Sequence, residues 1–240
     1  MRLRRSNRNF NEMRKVSVEP GYNNHAPNSI IIEYGDTRVL CSASIENRVP
    51  TFLKGSNSGW VTAEYGMLPS ATSSRNRREA VSGSQTGRTV EIQRLIGRSL
   101  RSVVSLETLP EVTIIIDCDV LSADGGTRTA SITGGFIALV KAIEYLQKKE
   151  QISKNPITGY VAAVSVGIFN GKPILDLDYS EDSTAETDMN IVMNDDGHFI
   201  EIQGTAEGRA FQSNELAKMI ELAKVGIDKL IQIQKKYLAA

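Results

Sequence analysis

The chain has 240 residues, of which 40% are hydrophobic, with 28 basic and 28 acidic side chains and two cysteines. This length and apolar content allow a sizeable core, and we expect residues 1–240 to form one compact unit rather than separable domains. No run of 18 apolar residues occurs, and the Arg-rich start lacks an apolar stretch, which excludes a membrane span and a secretory signal and favours a cytoplasmic protein.

The zero net charge hides an uneven distribution of arginine. Fifteen of the 16 arginines lie at or before Arg128, whereas 10 of the 12 lysines follow it. Arginine binds phosphate through a planar fork, while lysine mostly serves solvation. The skew therefore favours a confined polyanion site over a DNA-coating role. Cys41 and Cys118 lie in apolar runs without metal-ligand spacing, so buried thiols in a reducing compartment are expected.

The first 45 residues combine a basic arm with three predicted strands. Residues 1–15 hold five arginines and one lysine around Phe10 without a clear period. Two interpretations remain open for this arm, an ordered contact with RNA or a neighbouring subunit and a frayed, solvated tail. Alternation and turn residues then predict an antiparallel meander over residues 16–19, 29–34 and 38–45.

A polar segment and a helix follow, and both carry arginines. Residues 70–87 are rich in Ser and Thr and contain Arg75, Arg77 and Arg78, which predicts a mobile basic loop that either contacts RNA or is merely solvated. Apolar spacing predicts a helix over residues 88–106. Arg88 would lie at its N-terminus, where a cation opposes the helix dipole unless an anion lies between them. We take this conflict as the mark of a binding site.

The segment from Val112 to Gly135 is a candidate anion site. A β-branched strand over residues 112–121 is followed by Gly125 and Gly126 and by a helix over residues 130–149. Glycines let backbone amides approach a ligand, a helix start leaves amides unpaired, and Arg128 would add a bidentate cation. The alternative is an ordinary strand-to-helix turn with Thr127 or Thr129 as the N-cap. The segment alone leaves both open.

The rest of the chain predicts a second group of strands and a closing helix. Strands are expected at residues 161–169, 174–179, 189–193 and 199–204, with a hairpin turn at 194–197 and a helix over 213–238. Alternation over 174–179 would place Asp176 and Asp178 on one face. This order predicts an α+β fold built from two similar βα halves.

The residues available for chemistry favour phosphoryl transfer. His25 and His198 lie in polar turns beside no plausible nucleophile, and no Walker lysine follows the glycines. Phosphoryl transfer needs mainly positioning and charge neutralisation, and a bound inorganic phosphate could itself attack a phosphodiester. Asp182 and Asp188 would then hold a divalent ion, expected to be magnesium. The alternative is that these acids cap a helix turn and solvate a loop.

Several motifs in order along the chain resemble the ribonuclease PH family of phosphate-dependent 3′ to 5′ exoribonucleases. They are YGDTRVLC at 34–41, GWVTAEYGMLPSAT at 59–72, GRTVEIQRLIGRSLR at 87–101, IDCDVLSADGGTRTASITG at 116–134, VAAVSVGI at 161–168 and EDSTAETDMN at 181–190. The resemblance implies a ribosomal-protein-S5-like fold (domain 2), a ring of six formed as a trimer of dimers, and trimming of tRNA precursors and other RNA 3′ ends, including rRNA. Nucleoside diphosphates are the expected products, and the reverse reaction would add nucleotides from them.

The resemblance also implies roles for individual residues. Phosphate, the cosubstrate, would be bound by Arg88, Gly126, Thr127 and Arg128; the metal-associated catalytic pair would be Asp182 and Asp188; RNA would be contacted by Arg75, Arg77 and Arg78. Mild departures occur where the family usually has Asp-Gly-Arg in the arm, a glycine at Thr86 and an arginine at Ser70. A non-catalytic RNA-binding ring subunit and a metal-dependent hydrolytic ribonuclease remain the alternatives, and a small-molecule kinase is the weakest.

Overall fold

The first half of the chain forms a five-stranded sheet. The computed structural model describes residue 4, residues 7–21, residue 26 and residues 28–239. The strands pair in the order β1-β2-β3-β5-β4, antiparallel except for β4 and β5, which run parallel. Their bounds are β1 Val16–Pro20, β2 Ile30–Tyr34, β3 Thr37–Glu46, β4 Trp60–Met67 and β5 Thr113–Ser122. The predicted meander is confirmed.

The second half forms a four-stranded antiparallel sheet in the order β7-β6-β8-β9. Its strands are β6 Val161–Phe169, β7 Lys172–Leu175, β8 Thr187–Asn194 and β9 Phe199–Ala206. The helices of the described residues are α1 Glu79–Ser82, α2 Gly87–Arg101, α3 Thr127–Lys148, α4 Tyr179–Asp182 and α5 Ser213–Leu238. The α+β class is confirmed.

Helix α3 is the central element, because it contacts both sheets. Fifteen of its residues are buried, and a Cβ at Gly134 would lie 2.7 Å from the Cγ2 of Ile32, so glycine permits the close approach to β2. Its length and composition would allow it to cross a membrane, but 78% of its most apolar window is buried inside the protein, as in a core helix. One continuous group of buried apolar side chains runs through both sheets.

Two predicted elements end four or five residues earlier than expected. Helix α2 ends at Arg101 rather than near residue 106, because the chain leaves the helix through a turn at Val103, and Val104 forms a β-bridge with Ile157. Val103 and Val104 are buried all the same. The strand predicted over residues 174–179 was wrong beyond Leu175. Asp176 has a φ of 55°, a left-handed conformation that ends the strand, and Asp178 caps α4 instead.

The N-terminal arm adopts an arrangement that neither interpretation of the sequence included. Arg4, Arg8 and Arg14 are buried and pair with acids of the chain's own second half. Cys41 and Cys118 are free, buried thiols, as predicted. His198 is exposed in the turn between β8 and β9, and His25 lies outside the described residues.

Candidate active site

A cavity of about 320 Å³ lies where the two sheets meet the start of α3. Its walls come from both halves of the chain, which explains why no single segment reveals it. The six residues predicted to bind phosphate or metal all line it, as do several that the sequence analysis did not single out. The lining residues are Met67, Thr72, Asn76, Arg88, Ala123, Gly125, Gly126, Thr127, Arg128, Ser165, Tyr179, Asp182, Asp188 and Asn190.

The glycine turn between β5 and α3 forms the floor of the cavity. Gly125 and Gly126 have φ values of 76° and 67°, in the left-handed region that favours glycine. A Cβ at Gly125 would also lie 2.6 Å from the carbonyl oxygen of Leu177. Two successive left-handed residues leading into a helix present adjacent backbone N–H groups, an arrangement suited to an anion.

Gly126 is the N-cap of α3, and no side chain caps this helix. The alternative in which Thr127 or Thr129 caps the helix is therefore wrong, because both residues lie within its first turn. The hydroxyl of Thr129 donates to the carbonyl of Gly126, and that of Thr127 lies 2.8 Å from the buried hydroxyl of Tyr65. The first amides of α3 lack carbonyl partners within the helix and border the cavity.

Two arginines supply positive charge to the cavity walls. Arg128 follows the glycine turn and is nearly buried, with Nη1 donating to Gln203 at 2.7 Å and lying 3.6 Å from a carboxylate oxygen of Glu91. Arg88 lies in the first turn of α2, is exposed, and forms no hydrogen bond or ion pair with the described residues. The predicted conflict between Arg88 and the helix dipole is thus present in the structure, and an anion in the cavity would relieve it.

Asp182 and Asp188 face these arginines across the cavity. Burial and, next, the negative charge of Asp182 raise the pKa of Asp188 to about 6, although Arg128 and Arg88 act in the opposite direction. Burial also raises the pKa of Asp182, again opposed by both arginines. These shared effects place the two acids and the two cations in one electrostatic unit.

The acids in and near α4 fall into two groups, those whose carboxylates accept hydrogen bonds within the protein and those whose carboxylates do not. Asp178 and Glu181 form the capping box of α4, and Glu181 also accepts from Arg4 at 2.6 Å. The carboxylates of Asp182 and Asp188 accept no hydrogen bond from the described residues. The interpretation of the acidic turn as helix capping thus fits Asp178 and Glu181, whereas Asp182 and Asp188 are left to bind a ligand.

The donor set of the cavity fits a magnesium ion shared with substrate. Magnesium is usually held by one or two carboxylates together with substrate phosphate oxygens, rather than by an all-protein cage. The described residues contain no cluster of three or more metal-binding side chains, so a closed structural site is not formed there. Asp182 and Asp188 supply the two carboxylates beside the anion-binding turn.

Two of the three loop arginines lie beside the candidate site. Arg77 and Arg78 line a neighbouring cavity of about 380 Å³, which shares Met67, Asn76 and Arg88 with the first. Arg75 is exposed and lines neither cavity. The loop is held to α2 at one point, where Glu79 accepts hydrogen bonds from the hydroxyl groups of Thr86 and Thr89.

Two family models match most of the chain. The model of the 3′ exoribonuclease family, domain 1, matches residues 12–143, and that of domain 2 matches residues 159–226. Both cavity walls thus lie within the matched regions, because the first contains Arg88 and Arg128 and the second contains Asp182 and Asp188.

Three solved structures share the fold. A chain of the Archaeoglobus fulgidus exosome with RNA bound to the active site has a TM-score of 0.79 and 18% identity, covering 96% of this chain and 92% of that one. Rice (Oryza sativa) Rrp46 has a TM-score of 0.77 and 18% identity, with coverages of 98% and 100%. A chain of an archaeal exosome core has a TM-score of 0.76 and 20% identity, with coverages of 97% and 91%. The expected ribonuclease PH and ribosomal-protein-S5-like fold is confirmed.

Proposed function

The chain belongs to the 3′ exoribonuclease family of ribonuclease PH, and from this premise we propose that it is a phosphate-dependent 3′ to 5′ exoribonuclease acting on tRNA precursors. One observation carries the proposal: a glycine turn, two arginines and two uncommitted carboxylates line a single cavity. These groups suit a reaction in which inorganic phosphate is the nucleophile, because the protein then needs to position and neutralise charge rather than supply a covalent catalyst.

The cationic wall would bind the attacking phosphate. Arg88, Arg128 and the amides at the start of α3 would neutralise its charge and hold one oxygen toward the last phosphodiester of the RNA. Attack forms a bond to that phosphorus and breaks its bond to the 3′ oxygen of the preceding nucleotide. The terminal nucleotide leaves as a nucleoside diphosphate, and the reverse reaction would extend RNA from nucleoside diphosphates.

The acidic wall would serve the departing 3′ oxygen. Burial and the negative charge of Asp182 raise the pKa of Asp188, and one of the two acids would supply the proton to that oxygen. Asp182 and Asp188 would also hold magnesium, which when bound supplies positive charge between the reacting phosphates. Arg77 and Arg78, at the neighbouring cavity, would contact the RNA backbone, and Arg75 would add to its attraction over a longer range.

The assembly of the protein, its location and its range of RNA substrates are also proposed. The proposal includes assembly into a homohexamer, a trimer of dimers, in the cytoplasm, with tRNA precursors and other RNA 3′ ends, including rRNA, as substrates. The shared fold with chains of two exosomes, one with RNA bound to its active site, supports RNA as the substrate and assembly with further chains. Light scattering of the purified protein tests the hexamer.

Incubation of a 3′-extended tRNA with the protein and magnesium, with and without inorganic phosphate, tests the reaction. We expect shortening only with phosphate, and nucleoside diphosphates as the released products. Equal shortening without phosphate, with monophosphates released, would favour a hydrolytic ribonuclease. RNA binding without any shortening would favour a non-catalytic ring subunit.

A further inference from the structure

The guanidinium of Arg14 lies directly behind the glycine turn, on the side away from the cavity. Its Nη1 donates to the carbonyl oxygen of Asp124, and its Nη2 lies 3.4 Å from that of Gly125. Arg14 is only 8% exposed and does not line the cavity. It contacts the turn mainly through these carbonyl groups, with a longer ion pair of 3.8 Å to the carboxylate of Asp124.

These carbonyl contacts determine where the turn's N–H groups point. In a planar trans peptide the C=O and the following N–H lie on opposite sides. The carbonyls of Asp124 and Gly125 point back to Arg14, so the N–H groups of Gly125 and Gly126 point the other way, into the cavity that both glycines line. Neither N–H has a partner among the described residues.

Thr37, at the end of the β2–β3 turn, holds one of these peptide groups and the peptide group that precedes Asp124. Its hydroxyl donates to the carbonyl of Gly125 at 2.7 Å and accepts from the N–H of Asp124 at 2.9 Å. Thr37 is fully buried. Its side chain and that of Arg14 thus fix the turn together, and neither borders the cavity.

Asp176, from the other half of the chain, holds the side chain of Arg14 in place through hydrogen bonds and an ion pair. Its carboxylate accepts from Nε of Arg14 at 3.0 Å and from Nη2 at 2.7 Å, and it accepts from the backbone N–H of Arg14 at 2.8 Å. Asp176 precedes Asp178, the N-cap of α4, and α4 ends at Asp182. One buried ion pair therefore connects the anion-binding turn with the helix that carries a catalytic candidate.

We propose that Arg14 is a positioning residue for the cosubstrate phosphate, acting by turning the N–H groups of Gly125 and Gly126 into the cavity. This inference rests on the proposed function, in which that turn binds phosphate. Thr37 also positions the turn, through its own two hydrogen bonds, and Asp176 holds the guanidinium group of Arg14 in the position that these contacts require. On this proposal the amides bind the attacking phosphate and not the RNA chain, so we expect the effect to be specific for phosphate.

The test compares Arg14→Lys and Thr37→Val with the wild type. Thr37→Val keeps the side-chain shape and the Arg14–Asp176 ion pair but loses both hydrogen bonds to the turn and the long one, 3.4 Å, that its hydroxyl accepts from Arg14. It tests the same turn without removing the buried arginine, in case Arg14→Lys does not fold. Thr37→Ser, which keeps the hydroxyl, is the conservative rescue. Arg48→Gln is the matched control, because Arg48 is 78% exposed and, among the described residues, forms its ion pair with Glu46 alone.

We expect the KM for phosphate to rise about ten- to a hundredfold in Arg14→Lys and Thr37→Val, the range for a lost hydrogen bond to a charged group, while the KM for RNA stays within about twofold. The rise in Tm that inorganic phosphate gives the wild type should shrink in parallel and return in Thr37→Ser. If the enzyme is phosphate-dependent and the folded variants keep the wild-type KM for phosphate, the role of Arg14 is wrong but the proposed function stands. A wild-type enzyme that shortens RNA without phosphate would instead overturn the proposed function.

Discussion

The negative charge of Asp182 raises the pKa of Asp188, although one residue ends α4 and the other lies near the start of β8. Two acids that share a partly buried cavity resist simultaneous ionisation, and a cation or a proton between them relieves the cost. Arg88 and Arg128 oppose the same pKa shift from the facing wall. The site thus combines both signs of charge within one cavity, as phosphoryl transfer requires.

Replacement of Asp188 by Asn should lower kcat at least a hundredfold. The amide can neither exchange a proton nor ligate magnesium as a carboxylate does, and general acid–base catalysis alone is worth about 10²–10⁴-fold. The KM for phosphate should change little, because phosphate would be bound by the opposite wall. Steady-state assays with a 3′-extended tRNA measure both. Asp196→Asn, in the exposed turn between β8 and β9, is the control, and full turnover by Asp188→Asn would contradict a catalytic role for this acid.

The same substitution should stabilise the protein in magnesium-free buffer above pH 6. The folded pKa of Asp188 is raised to about 6, so the ionised acid destabilises the fold, and the wild type loses stability as pH rises from about 4 through 6. Asn stays neutral, and we expect a gain of roughly 1–3 kcal/mol in the free energy of unfolding at pH 7.5. Urea unfolding between pH 5 and 8 measures it. A gain that does not shrink toward pH 5 would contradict this explanation.

Replacement of Arg128 by Gln should raise the KM for phosphate more than tenfold, because a charge-assisted contact with the attacking anion is lost. Arg88→Gln should act in the same direction and should also stabilise α2 slightly, since the cation no longer opposes the helix dipole. Arg94→Gln provides the control, because Arg94 is exposed on the same helix and lines neither cavity beside the turn. Equal KM values for phosphate in Arg88→Gln, Arg128→Gln and Arg94→Gln would argue against the cationic wall.

Local sequence patterns predicted most of the elements of this fold. Strand β6 and helix α5 have the predicted bounds, since their hydrophobic periodicity persists to turn residues at both ends. The end of α2 was placed too late, because Val103 and Val104 continue the apolar pattern although they lie in a turn and a β-bridge after the helix. Periodicity reports which residues are buried more reliably than it reports where the backbone changes conformation.

The candidate site was only partly predictable. Glycines before a helix and an arginine at a helix start are local signals, and they identified the turn and Arg88. The buried pair of Arg14 and Asp176 joins residues 162 positions apart, and the alternation around Asp176 suggested a strand instead. Only the three-dimensional structure shows that this pair lies behind the glycine turn, because the sequence contains no local signal for a contact between halves.

The three loop arginines differ in their position relative to the candidate site. Arg77 and Arg78 line the cavity beside Arg88, whereas Arg75 lines neither cavity. If each of the two inner arginines contacts one RNA phosphate, the double variant Arg77→Gln/Arg78→Gln should lower the slope of log affinity against log salt by about 1.4, since one contact to a single strand contributes about 0.7. Arg75→Gln should change the slope by less than about 0.7, the value for one contact. Fluorescence anisotropy of a labelled RNA 3′ end over a salt series measures both slopes, and the KM for phosphate should stay constant in all these variants. A change of about 0.7 from Arg75→Gln, as for one full contact, would mean that the whole loop binds RNA and that a position beside the cavity does not decide which arginines bind.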